Sequence, residues 1–368
     1  MHISNNNRFK WVIKIKIIER GETMKIMNVK GTVDSLPSKE IIRRKVVNTL
    51  TDTFEKYGYL PLDTSILCYY DLLASKYSGG SEILKEVYTL KDQGDRTLGL
   101  RYDLTVPFSK VISMNAGKTI NLPFKRYEIG KVFRDGPVKL GRAREFYQCD
   151  VDACGTESPY AEIEYFMMVK EAFQKFDIDI EIRYNNRKFL SGLLEYCNVP
   201  KERVGEFITL VDKLDKLERE DIEEELEDCT SKENVDKIFE YFKLSLDELT
   251  NELKDTNVEL LSEGLKELND LNKLIKDLNL DICVFKPFLA RGLEIYTGCV
   301  WEVFDRTGEF KSALGGGGRY DNIITKFLHN GEEYPAIGMS FGLEPIYALL
   351  KEKWSETLKK YDIYVYAF

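Results

Sequence analysis

Histidine is almost missing from this chain of 368 residues, which contains only His2 and His329. So few imidazoles exclude a histidine-rich metal site and a Ser/His/Asp triad, because both depend on histidine side chains. The seven cysteines are scattered without a CxxC pair. We therefore expect reduced, buried thiols in place of a disulfide framework or a zinc site. The chemistry must depend on Arg, Asp, Glu, Gln, Tyr and backbone groups.

Long apolar runs are also missing. No stretch approaches the roughly 20 apolar residues that cross a bilayer, and the N-terminus lacks a signal-peptide pattern, so we expect a cytoplasmic protein with no membrane partner. The net charge of -9 and the pI near 5.2 argue against wholesale wrapping of nucleic acid, although they permit a local basic groove. The length is sufficient for two or three domains.

The most informative segment is 124–155, FKRYEIGKVFRDGPVKLGRAREFYQCDVDACG. Two stretches with the alternation of strands flank a loop rich in Arg, Lys, Gly and Pro, which is typical of a hairpin. One face of the second strand carries Phe146, Gln148, Asp150 and Asp152. The connection is crowded with basic side chains, namely Arg134, Lys139, Arg142 and Arg144. Guanidinium groups match phosphate geometry, so the loop indicates nucleotide binding, and a solvated basic loop is the alternative.

A second segment, 288–321, reads FLARGLEIYTGCVWEVFDRTGEFKSALGGGGRYD. Its run CVWEVF is strand-like, and four consecutive glycines at 315–318 precede Arg319. Glycine permits a positive φ and lets a backbone pass close to a ligand. A glycine run by itself more often marks a flexible turn than a binding loop.

With LRYDLTVP at 100–107 and IGMSFGLEP at 337–345, these segments resemble, in order and spacing, the catalytic core of class II histidyl-tRNA synthetases. The ARGLEIYTG and GGGGRYD segments resemble two signatures that are peculiar to the histidine enzymes. The resemblance implies an α+β fold, with a class II antiparallel sheet flanked by helices and a helical insertion domain. It also implies L-histidine, ATP with Mg²⁺ and tRNA(His) as ligands, and a homodimer.

The resemblance assigns two catalytic cations. Arg134 is expected to hold the α-phosphate and the carboxylate of the amino acid, and Arg291 to neutralise the α-phosphate in the transition state. For either guanidinium, a structural ion pair is the alternative. Asp103 and Thr105 are expected to take the α-ammonium, with help from Gln148.

The imidazole of the substrate is expected to be read by Asp152 and Tyr296, and Tyr320 is expected to wall the pocket. Such a polar pocket rejects apolar side chains, because its buried groups would be left unpaired. For Asp152 the alternative is a strand-end carboxylate facing water. Further ATP contacts are predicted at Arg142, Arg144, Glu145 and Arg319, and a glycine loop around the substrate is predicted at Gly316, Gly317 and Gly318. We assign no metal ligands from the sequence, and expect Mg²⁺ to arrive with ATP.

The resemblance, together with the pattern along the chain, implies four parts. Residues 1–30 are expected to be a disordered leader, 31–195 and 281–352 the catalytic core, and 196–280 an insertion of acidic amphipathic helices. The core should include a helix at 38–57 and strands at 122–134, 144–153, 299–304 and 336–342. Residues 361–368 resemble the first strand of an anticodon-binding domain whose remainder we expect to be absent.

One departure bears on activity. The third class II motif ordinarily ends in GLER, whereas this chain has Pro345 in place of the arginine. Three functions therefore stay open: a histidine–tRNA ligase, a non-catalytic histidine-binding regulatory subunit of ATP phosphoribosyltransferase, and a paralogue that activates histidine for another acceptor. The presence of both Arg134 and Arg291 favours the first.

Overall fold

The structure is a computed structural model, and it describes residues 26–75, 82–138, 143–215, 217–291, 295–328 and 332–358. The predicted strand at 361–368, most of the predicted leader, and Arg142 lie outside these ranges. In the described parts of the chain, no helix has both the length and the apolar character needed to cross a membrane.

Eleven strands occur in the described residues. They are β1 Leu60–Pro61, β2 Leu67–Tyr69, β3 Thr89–Lys91, β4 Thr97–Leu100, β5 Phe124–Phe133, β6 Glu145–Cys154, β7 Ile180–Asn186, β8 Cys283–Phe285, β9 Cys299–Asp305, β10 Gly315–Arg319 and β11 Ala336–Phe341. The four strands predicted from alternation match β5, β6, β9 and β11, so those predictions are confirmed.

Eight of these strands form one sheet in the order β1-β5-β6-β11-β10-β9-β7-β8. Every neighbouring pair from β5 to β7 is antiparallel, as predicted, but the outermost pairs β1/β5 and β7/β8 are parallel. The sheet is therefore mixed at its edges. Strands β2, β4 and β3 form a separate small antiparallel sheet.

Helices precede, separate and follow the strands. In the described ranges they are α1 Pro37–Lys56, α2 Tyr70–Ala74, α3 Thr105–Asn115, α4 Tyr160–Phe176, α5 Arg187–Tyr196, α6 Val204–Val211, α7 Glu223–Cys229, α8 Lys232–Tyr241, α9 Leu246–Glu252, α10 Glu259–Asp277, α11 Asn322–Leu328 and α12 Leu343–Leu358. Short 3-10 turns lie at Glu82–Glu86, Lys201–Arg203, Asp212–Asp215 and Arg219–Asp221.

Helix α1 illustrates how the sequence sets an element. Proline at the first helical position suits the helix start, and Ile42, Val46, Leu50 and Phe54 recur every four residues and are buried. The helix ends before Gly58, whose φ of 81° breaks the helical path. The helix predicted at 38–57 is confirmed, and the neighbouring Ile41 lies outside this buried stripe, with 49% exposure.

The two faces of the large sheet differ in chemistry. On β6, Cys149, Val151 and Ala153 point into the main hydrophobic core, where Tyr165 of α4 donates a hydrogen bond to the Val151 carbonyl at 3.2 Å. The alternate residues point to the opposite face, because side chains along a strand alternate. That opposite face carries the candidate site.

The predicted insertion at 196–280 does contain helices, α6 to α10. Its buried leucines belong to the same core cluster as those of α1 and α4. Gly264 of α10 lies so close to the start of α5 that an added Cβ would be 2.1 Å from the Phe189 nitrogen. The boundaries of this insertion therefore stay a prediction, because its packing is continuous with the rest of the chain.

Candidate active site

A cavity of about 340 Å³ lies over the polar face of the central strands. It brings together most of the residues predicted from the sequence, although the first and last of them, Asp103 and Tyr320, are more than two hundred positions apart in the chain. The predicted residues that line it are Asp103, Thr105, Arg134, Gln148, Asp152, Arg291, Tyr296, Gly316 and Tyr320. The sequence therefore identified nine of the sixteen residues that line this pocket, and the sheet order explains how they meet.

Strand β6 forms the floor of the cavity. Gln148, Asp150 and Asp152 line it in succession, because alternate residues of a strand share a face. At the inner end, Nη2 of Arg126 lies 2.7 Å from Oδ2 of Asp152, and the hydroxyl of Tyr320 donates a hydrogen bond to Oδ1 at 2.5 Å. Asp152 is thus held from two sides in a fixed orientation.

Arg126 is fully buried on strand β5, directly opposite Asp152 in the register. Burial works against its charge, but Asp152, Asp150 and Glu128 outweigh burial and raise its pKa above the ordinary value. Its guanidinium lies 4.6 Å from the Phe108 ring centroid. A buried cation next to two pocket carboxylates makes the floor an ionic network.

The pKa values of two pocket carboxylates, Asp150 and Asp152, are perturbed. Burial raises the pKa of Asp152, and the neighbouring Arg126 opposes that shift. The pKa of Asp150 is raised to about 7, mainly by burial and secondly by the negative charge of Asp152. Asp150 is 4% exposed, and its Oδ1 accepts no hydrogen bond within the described part of the chain. Perturbed buried carboxylates in a cleft are typical of functional sites.

The predicted glycine loop is wrong as a loop, because 315–319 is the central strand β10 and pairs with β9 and β11. The glycines are needed for space and not for a positive φ. A Cβ at Gly316 would lie 2.0 Å from Nη1 of Arg291, and one at Gly318 would lie 2.7 Å from the ring of Tyr296. Bare backbone therefore lets both side chains lie directly on the strand.

Arg291 is fixed by weak contacts around this strand. Its Nη1 donates to the carbonyl of Trp301 at 3.4 Å, its Nε lies 3.9 Å from Glu302, and its guanidinium lies 5.5 Å from the Tyr296 ring centroid. None of these contacts is a close bidentate ion pair. The geometry leaves the guanidinium able to meet an anion in the cavity.

Arg134 reaches the cavity from the end of β5. Its Nε donates to the Tyr102 carbonyl at 3.1 Å, and its guanidinium lies over Phe146 at 5.1 Å. On the other side, Oδ1 of Asp103 accepts from the Val106 nitrogen at 3.0 Å and so orients its carboxyl at the start of α3. Two cations thus line one small space together with four carboxylates, namely Glu86, Asp103, Asp150 and Asp152.

Several residues predicted to bind ATP do not line this cavity. Arg144 contacts Asp135 at 3.3 Å, and Glu145 pairs with Lys131 across the hairpin. Arg319 makes a buried ion pair with Glu162 at 2.8 Å. These partners give each residue a structural role, and their contacts to ATP stay predictions. Arg142 lies outside the described residues, and Gly317 and Gly318 belong to the strand.

The sequence analysis left some lining residues unassigned. These are Glu86, Tyr102, Asp150, Ile295, Gly338, Met339 and Ser340. The sequence did contain a signal that Asp150 faces the pocket, since it alternates with Gln148 and Asp152. It contained no such signal for Gly338, although a Cβ there would lie 1.9 Å from Oδ1 of Asp152. Its requirement for glycine comes from strand pairing.

The described residues do not form a metal centre of their own. Among them, no three His, Cys, Asp or Glu side chains are grouped so that they could hold a metal ion. We therefore assign no step of the chemistry to a metal bound by the protein alone.

Comparison with known proteins agrees with this geometry. The family model described as "Histidyl-tRNA synthetase" matches residues 31–346. The chain is 48% identical over 336 residues to a "Histidine--tRNA ligase 1" of Bacillus cereus, covering 90% of this chain and 78% of that protein. It is 36% identical to the mitochondrial histidine–tRNA ligase of Saccharomyces cerevisiae, covering 88% and 65%.

Solved structures share the fold. A histidyl-tRNA synthetase from Nostoc sp. PCC 7120 superposes with a TM-score of 0.79 at 26% identity, covering 90% of this chain and 77% of that one. A Bacillus halodurans structure titled as an ATP phosphoribosyltransferase regulatory subunit/histidyl-tRNA synthetase superposes with a TM-score of 0.77 at 18% identity, covering 90% and 84%. At 18% identity, the likeness to the Bacillus halodurans structure shows a shared fold and nothing more.

The mixed sheet, its flanking helices and the arginine-lined pocket define the catalytic core of a class II aminoacyl-tRNA synthetase. Within that class, the family match and the near-half identity decide the specificity group. The chain belongs to the histidyl-tRNA synthetase family.

Proposed function

We propose that this chain activates L-histidine with ATP and transfers the histidyl group to tRNA(His). In the first step the carboxylate of histidine attacks the α-phosphate, which forms histidyl-adenylate and releases diphosphate. In the second step a terminal ribose hydroxyl of the tRNA attacks the activated carbonyl and releases AMP. The near-half identity to histidine–tRNA ligases over 90% of the chain supports this activity.

The arrangement of charges supports roles for individual residues. Attack of a carboxylate on a phosphate brings two anions together, so positioned cations lower the barrier. Arg134 and Arg291 line the same cavity from different elements and can approach one phosphate from two directions. Because ATP is used as its magnesium complex, we propose that Mg²⁺ enters with the nucleotide.

The amino acid is proposed to lie along the β6 floor. Its α-ammonium faces Asp103 and Thr105 with Gln148 beside them, and its ring faces Asp152 and Tyr296. Asp152 suits the ring end because Arg126 and Tyr320 orient its carboxylate. An imidazole nitrogen bearing a proton can donate to that carboxylate, whereas an apolar side chain would leave it unpaired.

The single observation that carries the proposal is the meeting of Arg134 and Arg291 in the pocket that also holds the oriented carboxylate of Asp152. A regulatory subunit needs to bind histidine but has no need of two phosphate-facing cations. That alternative is not favoured, because the relatives at 46–48% identity bear the name of histidine–tRNA ligases.

Histidine-dependent exchange of labelled diphosphate into ATP, without tRNA, tests the activation step. We expect exchange with histidine and none with phenylalanine, glutamine or lysine. Charging of a tRNA(His) transcript then tests the transfer. Histidine binding without exchange would contradict the ligase and favour the regulatory subunit, and exchange without charging would favour another acceptor. Exchange would also show that Pro345 is compatible with ATP use.

We also propose that the chain works as a homodimer through α1 and the segments around it. Large apolar side chains are exposed in residues 26–69, which include α1 and the segments that flank it: Ile26, Met27, Val29, Val33, Leu36, Ile41, Leu60, Leu67 and Tyr69. A partner subunit that covered apolar side chains of this part of the chain would remove them from water. Sedimentation equilibrium should give twice the mass of the chain, and a monomer at micromolar concentration would contradict the proposal.

A further inference from the structure

Asp150 is a buried acidic side chain in the pocket that the roles above do not use. It lies on β6 between Gln148 and Asp152, lines the cavity, and is 4% exposed. Ser340, its partner in the register on β11, is its hydrogen-bonding neighbour. Its Oδ1 accepts no hydrogen bond in the described part of the chain. A buried acceptor without a donor is costly, so a ligand that supplied a donor or a positive charge would be stabilised there.

The charges around Asp150 do not balance. The titratable groups that face it come from five parts of the chain: Arg126 and Glu128 on β5, Asp152 on β6, Asp103 before α3, Arg291 after β8, and Tyr320 after β10. Arg126 is the buried cation next to it, and that guanidinium already lies 2.7 Å from Asp152. The ring end of the pocket thus holds two carboxylates with one close fixed cation.

We propose that Asp150 is a further specificity-determining residue, which makes the pocket bind the side chain of histidine in its protonated, imidazolium form. This inference rests on the proposed function. An imidazolium has two N–H donors and one positive charge, so it supplies the charge that Arg126 alone does not. The pocket then distinguishes histidine from rings of similar shape by basicity as well as by hydrogen bonding.

The protons can be counted. A free imidazole has a pKa of about 6.5, and burial raises the pKa of the Asp150 carboxyl to about 7. The complex contains one proton on the ring and none on Asp150. At pH 8 both free partners are mainly unprotonated, so binding takes up close to one proton. At pH 6 both are mainly protonated, so binding releases a proton.

A purely structural role for Asp150, or a contact with the α-ammonium, predicts a different number of protons taken up on binding at pH 8. Either role needs no proton on the ring, so no proton would be taken up at pH 8. In Asp150→Asn the second negative charge is gone, and the ring binds in its neutral form. That variant should release a proton at pH 6 but take up none at pH 8.

The experiment is calorimetric titration of the whole chain with L-histidine at pH 6 and pH 8, in buffers of different ionisation enthalpy. We expect the wild type to take up close to one proton at pH 8 and Asp150→Asn to take up none. Between pH 7 and pH 8 the histidine affinity of the wild type should fall about fivefold relative to that of the variant, because Asp150 is still half protonated at pH 7. No uptake by the wild type, or uptake retained by the variant, overturns the inference.

Asp95→Asn is the matched control. Asp95 does not line the pocket, its side chain is 91% exposed, and its φ of 59° is one that asparagine adopts readily. It should behave as the wild type. If Asp150→Asn does not fold, the wild-type proton count at pH 8 still decides.

The analogue 1,2,4-triazole-3-alanine gives a second, independent measurement, because its ring is much less basic than imidazole. The wild type should prefer histidine over this analogue by a ratio that falls severalfold in Asp150→Asn. An unchanged ratio overturns the inference. A wild type that binds histidine without taking up a proton overturns this inference alone, whereas a wild type that binds no histidine overturns the proposed function as well.

Discussion

Replacing Gly316 with alanine tests whether the bare strand β10 positions Arg291 for catalysis. An added Cβ would lie 2.0 Å from Nη1 of Arg291, whereas ordinary contact begins at 3.4 Å, so the guanidinium must retreat by about 1.4 Å. A displacement of about 1 Å of a catalytic group can cost about 100-fold in rate. We therefore expect Gly316→Ala to lower the kcat of diphosphate exchange about 100-fold.

The same substitution should affect stability much less. The Cβ would also lie 2.9 Å from the Trp301 carbonyl, which requires a small opening of the strand pair. Overpacking of this kind costs about 1–3 kcal/mol in the free energy of unfolding. Histidine binding should change little, because Arg291 is assigned to the phosphate. Exchange kinetics, histidine titration and urea unfolding measure the three quantities separately.

Gly205→Ala is the control for a glycine-to-alanine change. Gly205 lies in α6, and a Cβ there meets nothing within 4 Å. Alanine should stabilise this helix by about 0.5–1 kcal/mol and leave exchange unchanged. A Gly316→Ala variant that folds and keeps the wild-type kcat would refute the positioning of Arg291 by strand β10.

Three other substitutions separate catalysis, recognition and folding. Arg291→Ala should abolish histidyl-adenylate formation and leave histidine affinity within a few fold, and unchanged turnover in the exchange assay would contradict its role. Tyr320→Phe removes the 2.5 Å hydrogen bond to Asp152. It should therefore weaken histidine binding by about 1.5–3 kcal/mol, and calorimetry that detects no loss would contradict the assignment of Asp152 to the ring. Glu162→Gln leaves the buried guanidinium of Arg319 without its anion, so urea unfolding should show a loss of about 3–5 kcal/mol, whereas an unaltered midpoint would mean that the pair contributes little.

The predicted elements that the structure confirms had strong local signals. Apolar residues at four-residue steps specified α1, and strict alternation specified β5 and β6 together with the face that each residue presents. Nine of the residues that line the pocket also came from the sequence, through segments that resemble one family. The helix and strand predictions succeed because they depend on neighbours within a few positions along the chain.

Other features depend on contacts between segments far apart. The glycine run at 315–318 was predicted as a loop, because glycine permits a positive φ and the segment resembles a family signature. It is a central strand, since β9 and β11 pair with both of its edges and Arg291 and Tyr296 occupy the space that side chains would fill. Tertiary packing decided this element against its local preference.

The partners of the charged side chains also depend on contacts between segments far apart. The sequence placed many arginines near the site, but it could not tell which guanidinium meets a carboxylate and which faces the cavity. The structure pairs Arg319 with Glu162 and Arg126 with Asp152, whereas Arg134 and Arg291 line the pocket.

The sequence by itself thus determined the fold class and the family, and it predicted nine of the residues that line the pocket. Only the tertiary structure decided the charge environment, because a pKa and a guanidinium's partner depend on burial and on distances of a few ångströms between separate strands.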